Sequence, residues 1–317
     1  MKSELRRAAT AAAFAVLFGG ALAVGAAIEP PTTRQAATPP AVKADEIDLA
    51  PVDAIDESCW STLRTTRVYF AHQAVGSGIV LGLREIMRTH PAANLEIVAY
   101  AEPDSSDGTT HTSFDAPAVV EGVAGRRGNP ERKIDEFVRF LRSSEGAKVD
   151  IAMLKLCYGD IGRMTDTEEL FSKYVKAVEE LRTERPNIHI IHCTVPLKAE
   201  EHGAKARMKR WVGAGSASSN AARERFNDAI RTRFPAEQIL DIAKAESHRP
   251  DGARTTVEHD DKAVPVLCDE YTDDGANLNR KGQLVLAREF LVTLSRQCGQ
   301  RPAATVGSAG AEEHGDR

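Results

Sequence analysis

The chain has 317 residues, 42% of them hydrophobic and 27% charged, enough to bury one sizeable core in a single domain. A formal net charge of -5 speaks against nucleic acid as a partner, because proteins that grip phosphate backbones carry a basic face. The five cysteines, Cys59, Cys157, Cys193, Cys268 and Cys298, are too few for a disulfide scaffold and have no zinc-ligand spacing, so neither a metal nor a cofactor is expected.

Lys2, Arg6 and Arg7 precede an uncharged, Ala-rich run over residues 8–28. The run reads as an export signal, with small residues at Ala21-Leu22-Ala23 and Val24-Gly25-Ala26 for cleavage, or as a single anchor of about 20 residues. A disordered Ala-rich extension is the alternative. On the first two readings the domain lies outside the cytoplasm, extracellular or periplasmic, and meets membrane only through residues 1–28. Residues 29–56, rich in Pro, Ala and Thr, read as a linker, and residues 299–317, rich in Gly, Ala and Glu, as a disordered tail. The folded part is then 57–298. Cys59 and Cys298 bracket it, and because domain ends often lie close together, they are expected either to form a disulfide in an oxidising compartment or to remain free thiols.

Within the folded part, strands alternate with helices. Residues 67–71 are β-branched and aromatic, which suits a buried strand, and Ile79, Val80, Leu83, Ile86 and Met87 then recur at helical spacing. Between them lies His72-Gln73-Ala74-Val75-Gly76-Ser77-Gly78, a turn at the carboxyl end of the first strand, where α/β folds build their sites. Residues 95–100 read as a second strand, followed by a polar stretch over 101–128. Asn129 is placed to cap a helix with Pro130 at its first position and Ile134, Phe137, Val138 and Leu141 on its buried stripe. Residues 149–156 form a third strand; Leu170, Phe171, Tyr174, Val178 and Leu181 mark a helix; residues 188–195 form a fourth strand stopped by Pro196. A basic, Gly-rich segment over 197–215 leads to a helix carrying Phe226 and Ile230. Residues 239–242 make a short fifth strand, and Asn279 caps a last helix with Leu284, Ala287, Leu291 and Leu294 on one face. Continuous apolar strands alternating with helices predict a three-layer α/β/α sandwich around a parallel, five-stranded sheet.

Seven blocks carry a family resemblance: VYFAHQAVG (68–76), GNPERKIDEF (128–137), VDIAMLKLCYGDI (149–161), TVPL (194–197), RFNDAIR (225–231), ILDIAKAES (239–247) and DDGANLNRKG (273–282). In order and spacing the chain resembles the SGNH hydrolases, or GDSL-like esterases, and within them a bacterial branch whose first block reads roughly F-x-H-Q-S-V-G. The resemblance implies a nucleophile at Ala74, an acid at Asp274 and a base at Asn277, with oxyanion donors at Gly128 and Asn129. Asp274 is retained, but Ala74 has no oxygen to acylate and Asn277 takes no proton near neutral pH. Losing the nucleophile or base of such a triad costs on the order of 10^6 in kcat in the subtilisin example, so ordinary ester hydrolysis is expected to be nearly absent.

Ser77 lies about one helical turn beyond the nucleophile position, so a helix N-cap is favoured over a displaced nucleophile. His72 and Gln73 flank the turn as ligand-binding or orienting residues, with His72 as a substitute base the lesser reading. Lys155 and Tyr158 replace the usual third block and are further binding candidates. His192 reads as a core residue. His248 and His259, in a long loop over 243–273, read as solvated, as does His259-Asp260-Asp261. Lys198, His202, Lys205, Arg207, Lys209, Arg210 and Trp211 form a basic patch that either receives an anionic glycan or acyl carboxylate or is a solvated loop. Asp104, Asp107, His111 and Asp115 form another polar loop with no calcium motif. Three functions follow: a non-hydrolytic binder of a small acyl or carbohydrate ligand, an active esterase or acyltransferase using displaced groups such as Ser77 with His72, or a tethered interaction domain.

Overall fold

The computed structural model describes residues 47–100, 114–203, 208 and 215–300. Strand β1 (Val68–His72) is buried along its whole length and holds the middle of the sheet. On one side it pairs with β3 (Val119–Val123) and then β2 (Ile97–Ala99); on the other it pairs with β4 (Ile151–Leu154), β5 (His189–Cys193) and β6 (Ile239–Leu240). Every pairing is parallel. The order β2-β3-β1-β4-β5-β6 makes six strands, not five. The additional strand is β3, inside the stretch read as polar, where Glu121 breaks the apolar run. That carboxylate is held by His72 Nε2 at 3.1 Å and Arg84 Nη2 at 2.8 Å, so its charge does not oppose strand formation.

Strand alternation divides the core in two. Val68 and Phe70 of β1, with Ile151 and Met153 of β4, face α3 (Val75–Thr89) and the last helix, α8 (Arg280–Ser295), together with α1 (Ala50–Asp53), α2 (Glu57–Leu63) and α7 (Ile242–Ser247). Tyr69 and Ala71, with Ala152 and Leu154, face α4 (Pro130–Leu141), α5 (Thr167–Glu184) and α6 (Ser216–Arg233). Helices on both faces of a parallel sheet give the expected three layers. Gly82 sets how closely α3 and α8 approach, since a Cβ there would stand 2.3 Å from the Gln283 carbonyl oxygen.

The local signals act as expected at two helix starts. Asn129 Oδ1 accepts the Arg132 N–H at 3.0 Å ahead of Pro130, and Asn279 Oδ1 accepts the Gly282 N–H at 3.1 Å. Between α7 and α8 the long loop contains a hairpin, β7 (Thr256–His259) and β8 (Lys262–Pro265). Its two-residue turn is Asp260-Asp261 with φ of 50° and 59°, the primed geometry that matches strand twist.

The folded part reaches back beyond residue 57, because Ile47 and Val52 are buried in the core. Cys59 and Cys298 are joined in a disulfide with Cα atoms 5.5 Å apart, tying α2 to the end of α8. Cys157, Cys193 and Cys268 are buried free thiols. No helix among the described residues is long and apolar enough to cross a membrane. The leader, most of the linker, the tail from residue 301, Asp104, Asp107, His111, Lys205, Arg207, Lys209, Arg210 and Trp211 lie outside the described residues.

Candidate functional site

After β1 the chain leaves through α3 on one face toward β2, whereas after β4 it leaves through α5 on the other face toward β5. The connections diverge between β1 and β4, and at such a switch point a crevice opens at the carboxyl ends of the strands. Ala74 sits there, exposed, at the turn from β1 into α3.

Its backbone is strained, with φ 47° and ψ -105°, a conformation that L residues rarely adopt and that costs of order 1–3 kcal/mol. The surroundings impose it. Gln73 Nε2 donates to the Gly125 carbonyl, the Cys157 thiol reaches the Gln73 carbonyl at 3.7 Å, and the Ala74 carbonyl accepts the Ser77 N–H at 2.8 Å. Gly76 is required by the same turn, since a Cβ there would stand 2.4 Å from His72 Cβ and Cγ. Ala74 itself is the N-cap of α3 and gives no side-chain cap. Ser77 is therefore not the cap; it is the third residue of the helix, exposed, and no hydrogen bond joins it to His72.

His72 is buried beneath this turn. Burial lowers its pKa, against the raising effect of Glu121, so the ring is neutral near neutral pH. A neutral ring facing a carboxylate donates from Nε2, which leaves Nδ1 as a bare acceptor, and Nδ1 is buried without a partner.

Leu278 packs against the first turn of α3, 3.3 Å from where a Cβ on Gly78 would lie, and so seats the 273–282 block on the start of α3. In that block Asp274 Oδ1 accepts the N–H groups of Asn277 at 2.7 Å and Ala276 at 2.8 Å, while Oδ2 accepts Asn277 Nδ2 at 2.6 Å. The Asn277 backbone bond, followed by its side-chain bond, holds the Asp274 carboxyl down to about 2. Asp274 and Asn277 are thus a direct pair, with the amide nitrogen donating to a carboxylate.

The expected oxyanion residues are engaged elsewhere. The Gly128 N–H donates to Asp160 Oδ1 at 2.8 Å, and the Asn129 side-chain oxygen caps α4. Asp160 Oδ2 also receives Lys133 Nζ at 2.7 Å and the Cys157 N–H at 2.6 Å, and the side chains of Lys133 and Asp160 are fully buried. This ion pair fastens the loop after β4 to the start of α4. Sequence reading missed Lys133; its one local signal is a lysine next to Ile134 on the buried stripe.

Lys155 is buried rather than open to a ligand, with Nζ 3.4 Å from the Leu156 carbonyl oxygen and 3.9 Å from Cys157 Sγ, and burial lowers its pKa. Tyr158 is buried as well, with the Arg127 guanidinium 4.9 Å from its ring centre and Lys198 Nζ 5.9 Å away. Lys198 also borders a hollow of about 530 Å³ with His202, Asp269, Asp273 and Asp274. The structure therefore brings Tyr158, Lys198 and Asp274 to one place.

Two further buried groups position these walls. Arg223 of α6 donates from Nε to the carbonyls of Tyr158 at 2.8 Å and Ile161 at 3.1 Å. Glu246 of α7 accepts the Leu197 N–H on Oε1 and, through its backbone carbonyl, the Cys268 N–H at 2.9 Å, while Oε2 has no partner. Burial pushes the Glu246 carboxyl up to about 8. His192 is a core residue as expected, stacked 3.5 Å from the Phe234 ring and bonded to the Tyr174 hydroxyl at 2.8 Å. His248 bonds the Lys244 carbonyl on α7, and His259 stands beside Asp260 in the hairpin. Among the described residues no group of His, Cys, Asp and Glu gathers where it could hold a metal ion.

The fold defines a class: a three-layer α/β protein with a parallel sheet, whose switch-point loops are the candidate site. No protein-family model and no curated protein matches the sequence. Solved structures that the chain is similar to include a carbohydrate esterase family 3 protein from Talaromyces cellulolyticus, at 14% identity over 75% of this chain and 100% of that one, with a TM-score of 0.42. A G-D-S-L family protein from Desulfitobacterium hafniense DCB-2 matches at 14% identity over 63% and 99%, with a TM-score of 0.35. The periplasmic domain of a lipopolysaccharide acetyltransferase from Salmonella ser. Paratyphi A matches at 10% identity over 77% and 87%, with a TM-score of 0.37. Likeness at this level assigns no activity to this chain.

Proposed function

We propose that this chain is an SGNH-like α/β protein, acting outside the cytoplasm, that binds an acylated or glycan ligand in its switch-point crevice without hydrolysing it. The observation that carries the reading is the turn at Ala74: a costly backbone conformation of the kind that presents a nucleophile is held by Gln73, Gly76 and Cys157, yet the residue presented has only a methyl group. In the block that Leu278 seats on the start of α3, Asp274 is engaged by an amide that donates as an imidazole N–H would but takes no proton. A cleft that keeps its strained turn and its carboxylate but has neither a nucleophile nor a base is expected to retain binding and lose turnover.

The test is repair. The unmodified protein is expected to leave p-nitrophenyl acetate unhydrolysed and to take up no fluorophosphonate probe. Ala74→Ser with Asn277→His places a hydroxyl on the strained turn and an Nδ1–H where the Asn277 amide now donates, and is expected to turn over the ester and to be labelled at residue 74. Labelling and rapid turnover by the unmodified protein would overturn the proposal.

A further inference from the structure

Away from the crevice, a groove of about 720 Å³ lies between α7, the loop over residues 248–252 and α8. It shares no lining residue with the hollow beside Asp274. Ile47, Ile239, Ala245 and Val285 supply apolar surface along it, and its size falls within the range of small-molecule pockets.

The charged groups on its walls sort into spent and unspent. Arg231 clamps Asp241 with Nε and Nη2 at 2.8 and 2.9 Å, and Arg288 is taken by Glu289 and by the Asp48 carbonyl. Asp48 Oδ1 accepts the Ala50 N–H. Three exposed cations remain, Lys244, Arg249 and Arg296, and none forms an ion pair with a described carboxylate. Against them stand Glu237, whose carboxylate has no partner among the described residues, and Asp48, whose bond to the Ala50 N–H leaves its charge in place. Five lining cations, Arg231, Lys244, Arg249, Arg288 and Arg296, against four carboxylates, Asp48, Glu237, Asp241 and Glu289, leave the groove one positive charge in surplus on a chain whose net charge is -5. A concave wall concentrates such a field, and two of the three cations are guanidinium forks suited to oxyanions.

We infer that this groove is a binding site for an amphipathic anion: a carboxylate or phosphate head held by Lys244, Arg249 and Arg296, with an apolar body of about ten carbons laid along Ile239, Ala245 and Val285. This site is separate from the crevice and does not depend on its function.

Titration calorimetry of the full chain with decanoate and decyl phosphate, each below its micelle concentration, tests it, with decanol and decyltrimethylammonium as neutral and cationic counterparts. Both anions are expected to bind at one site, more weakly as salt is raised, and the counterparts to bind at least about tenfold more weakly. The triple variant Lys244→Glu, Arg249→Glu, Arg296→Glu, shown to be folded by circular dichroism, is expected to lose at least about tenfold in affinity for the anions. Absence of anion binding, equal binding of the neutral or cationic compound, or unchanged affinity in the folded triple variant would each overturn the inference.

Discussion

Ala74 stands in a backbone conformation that glycine tolerates and alanine resists, and nothing in the fold lets it relax, because β1 ends and α3 begins within two residues of it. Ala74→Gly is accordingly expected to stabilise the protein by about 1 kcal/mol, the relieved strain exceeding the added chain entropy of glycine. Urea unfolding at neutral pH measures this directly, and a destabilised Gly variant would mean that the turn is unstrained. The same site explains why repair needs two substitutions. A serine alone would gain no base from Asn277, whose amide donates to Asp274 and has no basic lone pair on nitrogen to take a proton.

At the scale of elements, α7 is short but holds two cleft loops at once, through Glu246. Its side chain secures Leu197 after β5, and its carbonyl secures Cys268 ahead of the Asp274 turn. The folded chain keeps a proton on Glu246 up to about pH 8, while the unfolded chain releases it near the ordinary 4.5. Between those values the folded state binds more protons, so this group makes stability fall as pH rises from about 4.5 to about 8 and then level off. Glu246→Gln retains an acceptor for the Leu197 N–H and has nothing to titrate. Unfolding free energies at several pH values should show a shallower decline for the variant than for the parent; equal slopes would show that Glu246 does not titrate in this window.

For the whole molecule, the Cys59–Cys298 disulfide closes a span of 239 residues and joins the two ends of the folded part. Constraining a loop of that length in the unfolded chain contributes about 5 kcal/mol in the chain-entropy picture, an upper figure because native strain and residual structure subtract from it. Cys59→Ser with Cys298→Ser, or reductant on the parent, is expected to lower the melting temperature by several degrees, with the parent unaffected by oxidant. An unchanged melting temperature would mean that the ends are held by α2 packing on α8 alone.

How much of this was legible in the residues themselves follows the reach of each signal. Capping by Asn129 and Asn279, the buried stripe of Ile134, Phe137, Val138 and Leu141, and the alternation of apolar strands with helices are set by neighbours a few positions apart, and the layer architecture and both helix starts could be read directly. So could the side-chain chemistry of Ala74 and Asn277, since a methyl offers no nucleophile and an amide no base in any fold. Strand β3 was hidden because Glu121 makes sense only beside His72, 49 residues away. Lys133 finds Asp160 across 27 residues, Glu246 finds Leu197 across 49, and the groove gathers Lys244 and Arg249 of one stretch with Arg296 of another. By itself, then, the sequence determined the class of fold and the side-chain chemistry on offer at Ala74 and Asn277. Only the tertiary structure decided where each buried charge finds its partner, because a charge taken out of water is stabilised by whatever the folded topology places beside it, and no local pattern encodes that neighbour.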